Sequence, residues 1–217
     1  MFRTREILLA IISAAVVVAC GGGGPSNSGN SPGMTPLVAT GTITGFGSIY
    51  VNGIHFQTTS AAIRKNGRTV SQSQLAVGQV ARIKGSKHAA DNTGVANEVD
   101  VDESVVGSIS AIDTTNNVLT VLGQTVKVNA GTSFSQDIQP GDLTGLKMGD
   151  FIQVDGFIDS DGAIAATRIE RADASSPLQV LGVVASLDSS AHTFMINALT
   201  VDYSSATLTG FTGGAPS

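Results

Sequence analysis

The chain has 217 residues, a formal net charge of −5, 41% hydrophobic and only 13% charged residues, and a single cysteine. The acidic balance excludes the basic footprint that nucleic acid demands, and one cysteine excludes an internal disulfide or a cysteine-rich metal site. With 26 glycines, no tryptophan and no sustained helical period, the composition points to β structure.

Arg3 and Arg5 precede an apolar run from Ile7 to Val18 that is interrupted only by Ser13. The run is shorter than the ~20 residues needed to span a bilayer core. A basic start, a short apolar stretch and small residues at its end describe a secretory signal. Val17-Val18-Ala19-Cys20 resembles a bacterial lipobox. The resemblance implies that residues 1–19 are removed and that Cys20 becomes an acylated N-terminus. A core cysteine behind an N-terminal helix is the plainer alternative, but no amphipathic period accompanies the run. Gly, not Asp, follows Cys20, and by the same resemblance this implies anchoring at the outer membrane, on its periplasmic or surface face. Residues 20–39, opening with four glycines and continuing PSNSGNSPGMTP, form a flexible tether that cannot make a core.

The remainder repeats itself. Gly41, Gly107 and Gly182 head three related units: residues 40–103, residues 104–171, and a partial unit over 172–217. Each reads as short strands. Asn52-Gly53, between Ile49-Tyr50-Val51 and Ile54-His55-Phe56, is a type I′ hairpin signal. Ser71–Val77 and Leu143–Met148 can each form one helical turn, and Ser71 with Gln74 has capping-box spacing. Next comes a strand with a period of two. In GDFIQVDG, Ile152 and Val154 point inward and Asp155 outward. Ile83 and Lys84 take the matching inward and outward places in unit 1. Gln79 matches Asp150 and Lys84 matches Asp155, so the apolar positions agree while the outward charges reverse. The fold class is therefore all-β: tandem small barrels, oligonucleotide-binding-like or SH3-like, with paired sandwiches as the fallback. Gly149 lies 42 residues after Gly107, and Gly78 lies 37 after Gly41. The same strand in unit 3 would fall at about 219–224, so unit 3 is incomplete and its edges are open.

The pattern GSISAID…LTVLGQTVKV…LKMGDFIQVDGFID…GAIAATRIE resembles the bacterial domain-of-unknown-function family 5666. That family's members are exported β-rich modules, often repeated behind a lipobox. The resemblance covers most of residues 40–217, and unit 2 carries it best. It brings no activity and no catalytic residues.

Candidate chemistry is sparse. His55, His88 and His192 occupy unrelated places in their units and form no shared site. Glu98, Asp100 and Asp102 alternate along a strand. They read as a solvated face in preference to a Ca²⁺ site, since a row of carboxylates does not enclose an ion. Asp159-Ser160-Asp161-Gly162 resembles the start of a calcium loop but lacks its later ligands, and reads as a hairpin turn. No nucleophile elbow or phosphate loop is present. Arg64, Lys65, Arg68, Arg82, Lys84 and Lys87 make unit 1 locally basic, a solvated or headgroup-facing patch in preference to a nucleic-acid groove.

The sequence therefore predicts no catalytic residues, no cofactor and no metal. It predicts an exported, lipid-anchored envelope protein that acts as a non-enzymatic binding module. Its partners are the membrane, through Cys20, and an envelope protein or glycan, with no nucleic acid. An enzyme or metal-dependent accessory protein with a site between units, and a structural spacer, are the alternatives.

Overall fold

The computed structural model describes residues 33–210; the signal segment, Cys20 and the start of the tether lie outside the described residues. Unit 1 is built from β1 (Met34–Phe46), β2 (Ile49–Val51), β3 (Ile54–Gln57), β4 (Ala62–Lys65), β5 (Arg68–Thr69), β6 (Val80–His88) and β7 (Thr93–Val101). Strands β3-β2-β1-β6-β7 follow one another, and a parallel β3–β7 pairing closes them into a five-stranded barrel. Strand β1 begins ahead of Thr40, because Met34–Thr42 pair with Val80–His88 along the whole of β6. A single 3-10 turn at Gln72–Gln74 precedes β6, and the Ser71 backbone N–H donates to Gln74 Oε1 at 3.0 Å.

Unit 2 repeats the plan with β8 (Val105–Asp113), β9 (Val118–Val121), β10 (Gln124–Lys127), β11 (Ser133–Phe134), β12 (Phe151–Ile158) and β13 (Ile164–Arg171). Here β10-β9-β8-β12-β13 is closed by a parallel β10–β13 pairing. The two units are thus tandem closed barrels of five strands each, the strand number of the oligonucleotide-binding form. Closure leaves no barrel edge unpaired, which suits a chain with so few surface charges.

The local geometry follows from the turn residues. Asn52 and Gly53 sit at φ 53° and 73°, and Leu122 and Gly123 at 48° and 72°, the left-handed pair that a type I′ hairpin needs. Each such hairpin folds back over the head glycine of its own unit. A Cβ on Gly107 would lie 2.7 Å from Leu122 Cγ, and one on Gly182 would lie 2.4 Å from Ile196 Cγ2. Side chains facing inward fill the barrels. Ile43, Ile49, Val51, Phe56, Ile83 and Val99 are wholly buried in unit 1, as are Leu119, Val121, Ile152, Val154, Ile164 and Ile169 in unit 2. Burying each such aliphatic side chain contributes roughly 1.5–3 kcal/mol.

Unit 3 comprises β14 (Gln179–Val180), β15 (Ala185–Asp188), β16 (Thr193–Ile196) and β17 (Leu199–Asp202). Strands β15-β16-β17 form a separate sheet that does not close. It is not isolated, however. Strand β14 pairs with β8 at Val105 and Val106. Phe194, Ile196, Tyr203 and Val180 join the apolar core of unit 2. The Gln124 side-chain amide donates to Ile196 O at 2.9 Å, and the Asn197 amide donates to Gln124 Oε1 at 2.6 Å and to Gly162 O at 2.9 Å. One face of the open sheet is therefore docked, while all four residues of β15 are exposed.

Two expectations need correction. Asp155 does not point into solvent: it is fully buried. It lies on the outer face of the β12–β13 pair, as a period of two demands, but unit 1 covers that face. Gln79 is likewise fully buried, not an exposed partner in a charge reversal. Its Oε1 instead accepts the Ala76 N–H at 2.8 Å. Lys84 does face outward, with its side chain 42% exposed, and pairs with Glu98.

Candidate functional site

Only Asp102, Glu103 and Ser104 connect β7 to β8, and this short connection presses the barrels together. Ser104 N–H donates to Val154 O at 2.8 Å and its hydroxyl donates to Gly156 O at 3.0 Å. Asn66 Oδ1, in the turn between β4 and β5, accepts from Glu103 N–H and from the Gln179 amide, each at 3.2 Å. Arg168 on β13 donates to Val77 O of unit 1 at 2.9 Å. A Cβ on Gly78 would lie 3.0 Å from Thr167 O and 3.1 Å from Ser133 Cβ, so the two backbones approach closely where the helical turn of unit 1 meets β11 and β13.

The joint encloses charge. Glu103 and Asp155 are both wholly buried, and none of their four carboxyl oxygens completes a hydrogen bond. Lys65 Nζ lies 3.0 Å from Glu103 Oε1, an ion pair without hydrogen-bond geometry. Burial raises the Asp155 pKa well above the ordinary carboxyl value; the Glu103 carboxylate and Glu170 add to the rise, while Lys65 and the nearby Val80 N–H oppose it. Asp102 is also raised, first by burial and then by Asp100 and Glu103. One lysine faces two buried carboxyls, and burial beside Glu103 favours the neutral form of Asp155. This arrangement binds the units to each other. The change from Lys84 to Asp155 between repeats does not by itself mark the joint, because both strands carry the same bulge, at Lys84/Gly85 and at Asp155/Gly156.

The residues singled out from the sequence lie apart. His55 stacks on Tyr50 with ring centroids 4.4 Å apart, His88 ends β6, and His192 sits in the β15–β16 turn at φ 54°. Glu98 and Asp100 do not guard an edge, since β7 is paired on both sides. They meet Arg64 at 3.8 and 3.3 Å, and Glu98 meets Lys84 at 2.7 Å. Part of the basic patch is thereby neutralised within its own sheet. Asp159 caps the β12–β13 hairpin by accepting the Asp161 and Ala163 N–H groups at 2.9 Å each, and pairs with Lys127 at 2.7 Å. Among the described residues, no group of three or more His, Cys, Asp or Glu could hold a metal ion.

Among the described residues, β15 forms an open edge of the third sheet. Val183 is 79% exposed and Val184 39%, immediately before β15, and Leu187 is exposed within it. The family model described as "Domain of unknown function (DUF5666)" matches residues 40–100 and 106–170, which are units 1 and 2 and together more than half of the chain. No curated protein and no solved structure matches it.

Proposed function

Since the chain belongs to the family of domain of unknown function DUF5666, whose name assigns no activity, we propose that it is a non-enzymatic binding module of the bacterial envelope, exported and anchored by lipid at Cys20. The observation that carries the binding reading is the third sheet, docked on one face and open at its edge. Two features add support. The barrels share an apolar scaffold while their equivalent polar positions differ, which suits interaction modules better than repeated active sites. The polar groups of the joint bond barrel to barrel. The anchor and tether would hold the folded units off the membrane surface. The binding partner in this reading is an envelope protein or glycan.

The test is photo-crosslinking in intact envelopes from a reactive residue placed at position 183, with position 116, an exposed turn of unit 2, as control. A discrete adduct from position 183 alone is expected. Adducts of equal yield from both positions, or none from either, would count against a binding role for this edge.

A second reading, a structural spacer, is favoured by the rigid joint: a three-residue connection, the Lys65–Glu103 pair and the Arg168–Val77 bond fix one barrel on the next. It predicts that unrelated barrels could replace units 1 and 2 without loss of function.

A further inference from the structure

The three units place different residues at one position of a shared scaffold. In unit 1 the outward row across three strands is Gly45 on β1, Tyr50 on β2 and His55 on β3. The matching row is Ala111, Thr120 and Thr125 in unit 2, and Ala185, Met195 and Thr200 in unit 3. A threonine pair is an ordinary cross-strand contact on a wet sheet face. The barrel does not require an aromatic pair there, since unit 2 closes without one.

Tyr50 and His55 stack with ring centroids 4.4 Å apart and planes 10° apart, yet Tyr50 is 38% exposed. On its β1 side stands Gly45, where a Cβ would lie 3.5 Å from Tyr50 Cδ2. The glycine withholds the side chain that would cover the ring from β1. Phe46 pairs with the buried Ile49 and so takes the opposite face. The adjacent turn is cut to Gly47-Ser48, where unit 2 has residues 114–117 capped by Asp113. Beyond His55 the rim is polar. His55 N–H donates to Asn92 O at 2.9 Å, and His55 lies beside Thr93. Asp91 accepts the Thr93 hydroxyl and N–H, bonds that hold its carboxyl below the ordinary value and keep it charged. The result is one flat ring, braced by His55 and uncovered from β1, with hydrogen-bonding groups at its border.

Area and charge select the occupant. The neighbouring outward residues Thr44 and Gln57 are polar and exposed, so the apolar contact is one ring wide. A stable protein interface needs about 800 Å² per partner with an apolar core. Single-stranded nucleic acid also stacks on aromatic rings, but it needs a basic groove. Here Lys87 and His88 are balanced by Asp91 between them and the ring, and the chain carries −5 overall. A pyranose with equatorial substituents suits both limits. Its C–H face carries partial positive charge toward the negative face of the ring, and its hydroxyls meet the polar rim.

We infer that the Gly45, Tyr50 and His55 face of unit 1 binds a neutral β-linked glycan by stacking one sugar ring on Tyr50. This rests on the reading of the chain as a binding module, and it places the glycan site on unit 1, apart from the third sheet.

The chain has no tryptophan and two tyrosines, and Tyr203 is buried, so the ring signals of Tyr50 report the site directly. Cellotetraose and N-acetylchitotetraose are titrated against the full chain, with a thymidine tetranucleotide as the polyanion. At least one sugar should shift the Tyr50 signals saturably, with the millimolar affinity expected of one stacked ring. Tyr50→Thr installs the residue of unit 2 and should weaken binding about tenfold or more. Gly45→Val keeps Tyr50 but covers its ring, and should weaken binding similarly while the thermal midpoint holds. No saturable shift with either sugar overturns the site. So does undiminished binding by either variant, or tighter binding of the tetranucleotide. The adduct from position 183 involves none of these residues, so its formation beside a failed titration leaves the binding module standing.

Discussion

At Asp155, burial and the Glu103 carboxylate act together on the carboxyl and Lys65 acts against them, so the joint is linked to pH. A carboxyl whose pKa is higher in the folded state stabilises the fold fully below its unfolded value, and that stability is lost as pH rises through the raised value. From the ordinary 3.8 upward to the raised pKa, the joint should therefore weaken with rising pH, and the raised Asp102 adds in the same sense. Asp155→Asn keeps the shape and removes the charge. It should be more stable than the parent at neutral pH, with a flatter profile in thermal unfolding from about pH 4 to about pH 8; a parallel profile would show that Asp155 ionises freely. Lys65→Met leaves two buried carboxyls without a cation and should destabilise by about 3–5 kcal/mol in denaturant unfolding. The head glycines answer to sterics instead. Gly107→Ala drives a methyl into Leu122 and should cost about 1–3 kcal/mol. Gly182→Ala meets Ile196 and should loosen the docking of unit 3, with little effect on unit 1.

The strands show how far a period of two can be read. Ile83 and Val154 alternate with polar neighbours, and both are wholly buried. Ile83→Asp or Val154→Asp should destabilise by several kcal/mol, on the order of 3–5, through an unpaired buried charge. Lys84→Asp, on a half-exposed pair with Glu98, should cost about 1 kcal/mol or less. Equal losses at both positions in urea titrations would refute the assignment of faces. The Asn52-Gly53 hairpin was legible because its turn chemistry is local. So was the number of units, because the glycines recur. Asp155 was not legible: alternation says which face of a strand a residue takes, but not whether another domain covers that face. The same limit applies to β16. Phe194 and Ile196 enter the core of unit 2 and not one of their own unit. No local pattern distinguishes a residue that closes its own barrel from one that packs on a neighbour.

At the scale of the whole molecule, two closed barrels are joined by a three-residue connection and a third sheet, not closed, docks on the second; the proposed lipid anchor at Cys20 is tested separately. Intact mass of membrane-extracted protein should show acylation at Cys20 with residues 1–19 gone, and Cys20→Ser should shift the protein to the soluble fraction. A soluble wild-type species retaining Met1 would remove the anchor from the account. Several acyl chains are needed for stable anchoring, since one gives only marginal binding. The central claim, that the third sheet is docked yet open at β15, makes a sharper demand on local stability. Hydrogen exchange on the full chain, followed peptide by peptide, reads it directly. Residues 193–196, with Phe194 1% and Ile196 3% exposed, should exchange slowly, approaching unit 2. Residues 182–188 should exchange fastest among the strands and their flanks, far faster than the corresponding stretch of β8. Protection of 182–188 equal to that of β8 would contradict the open edge, and rapid exchange throughout 179–203 would contradict the docking.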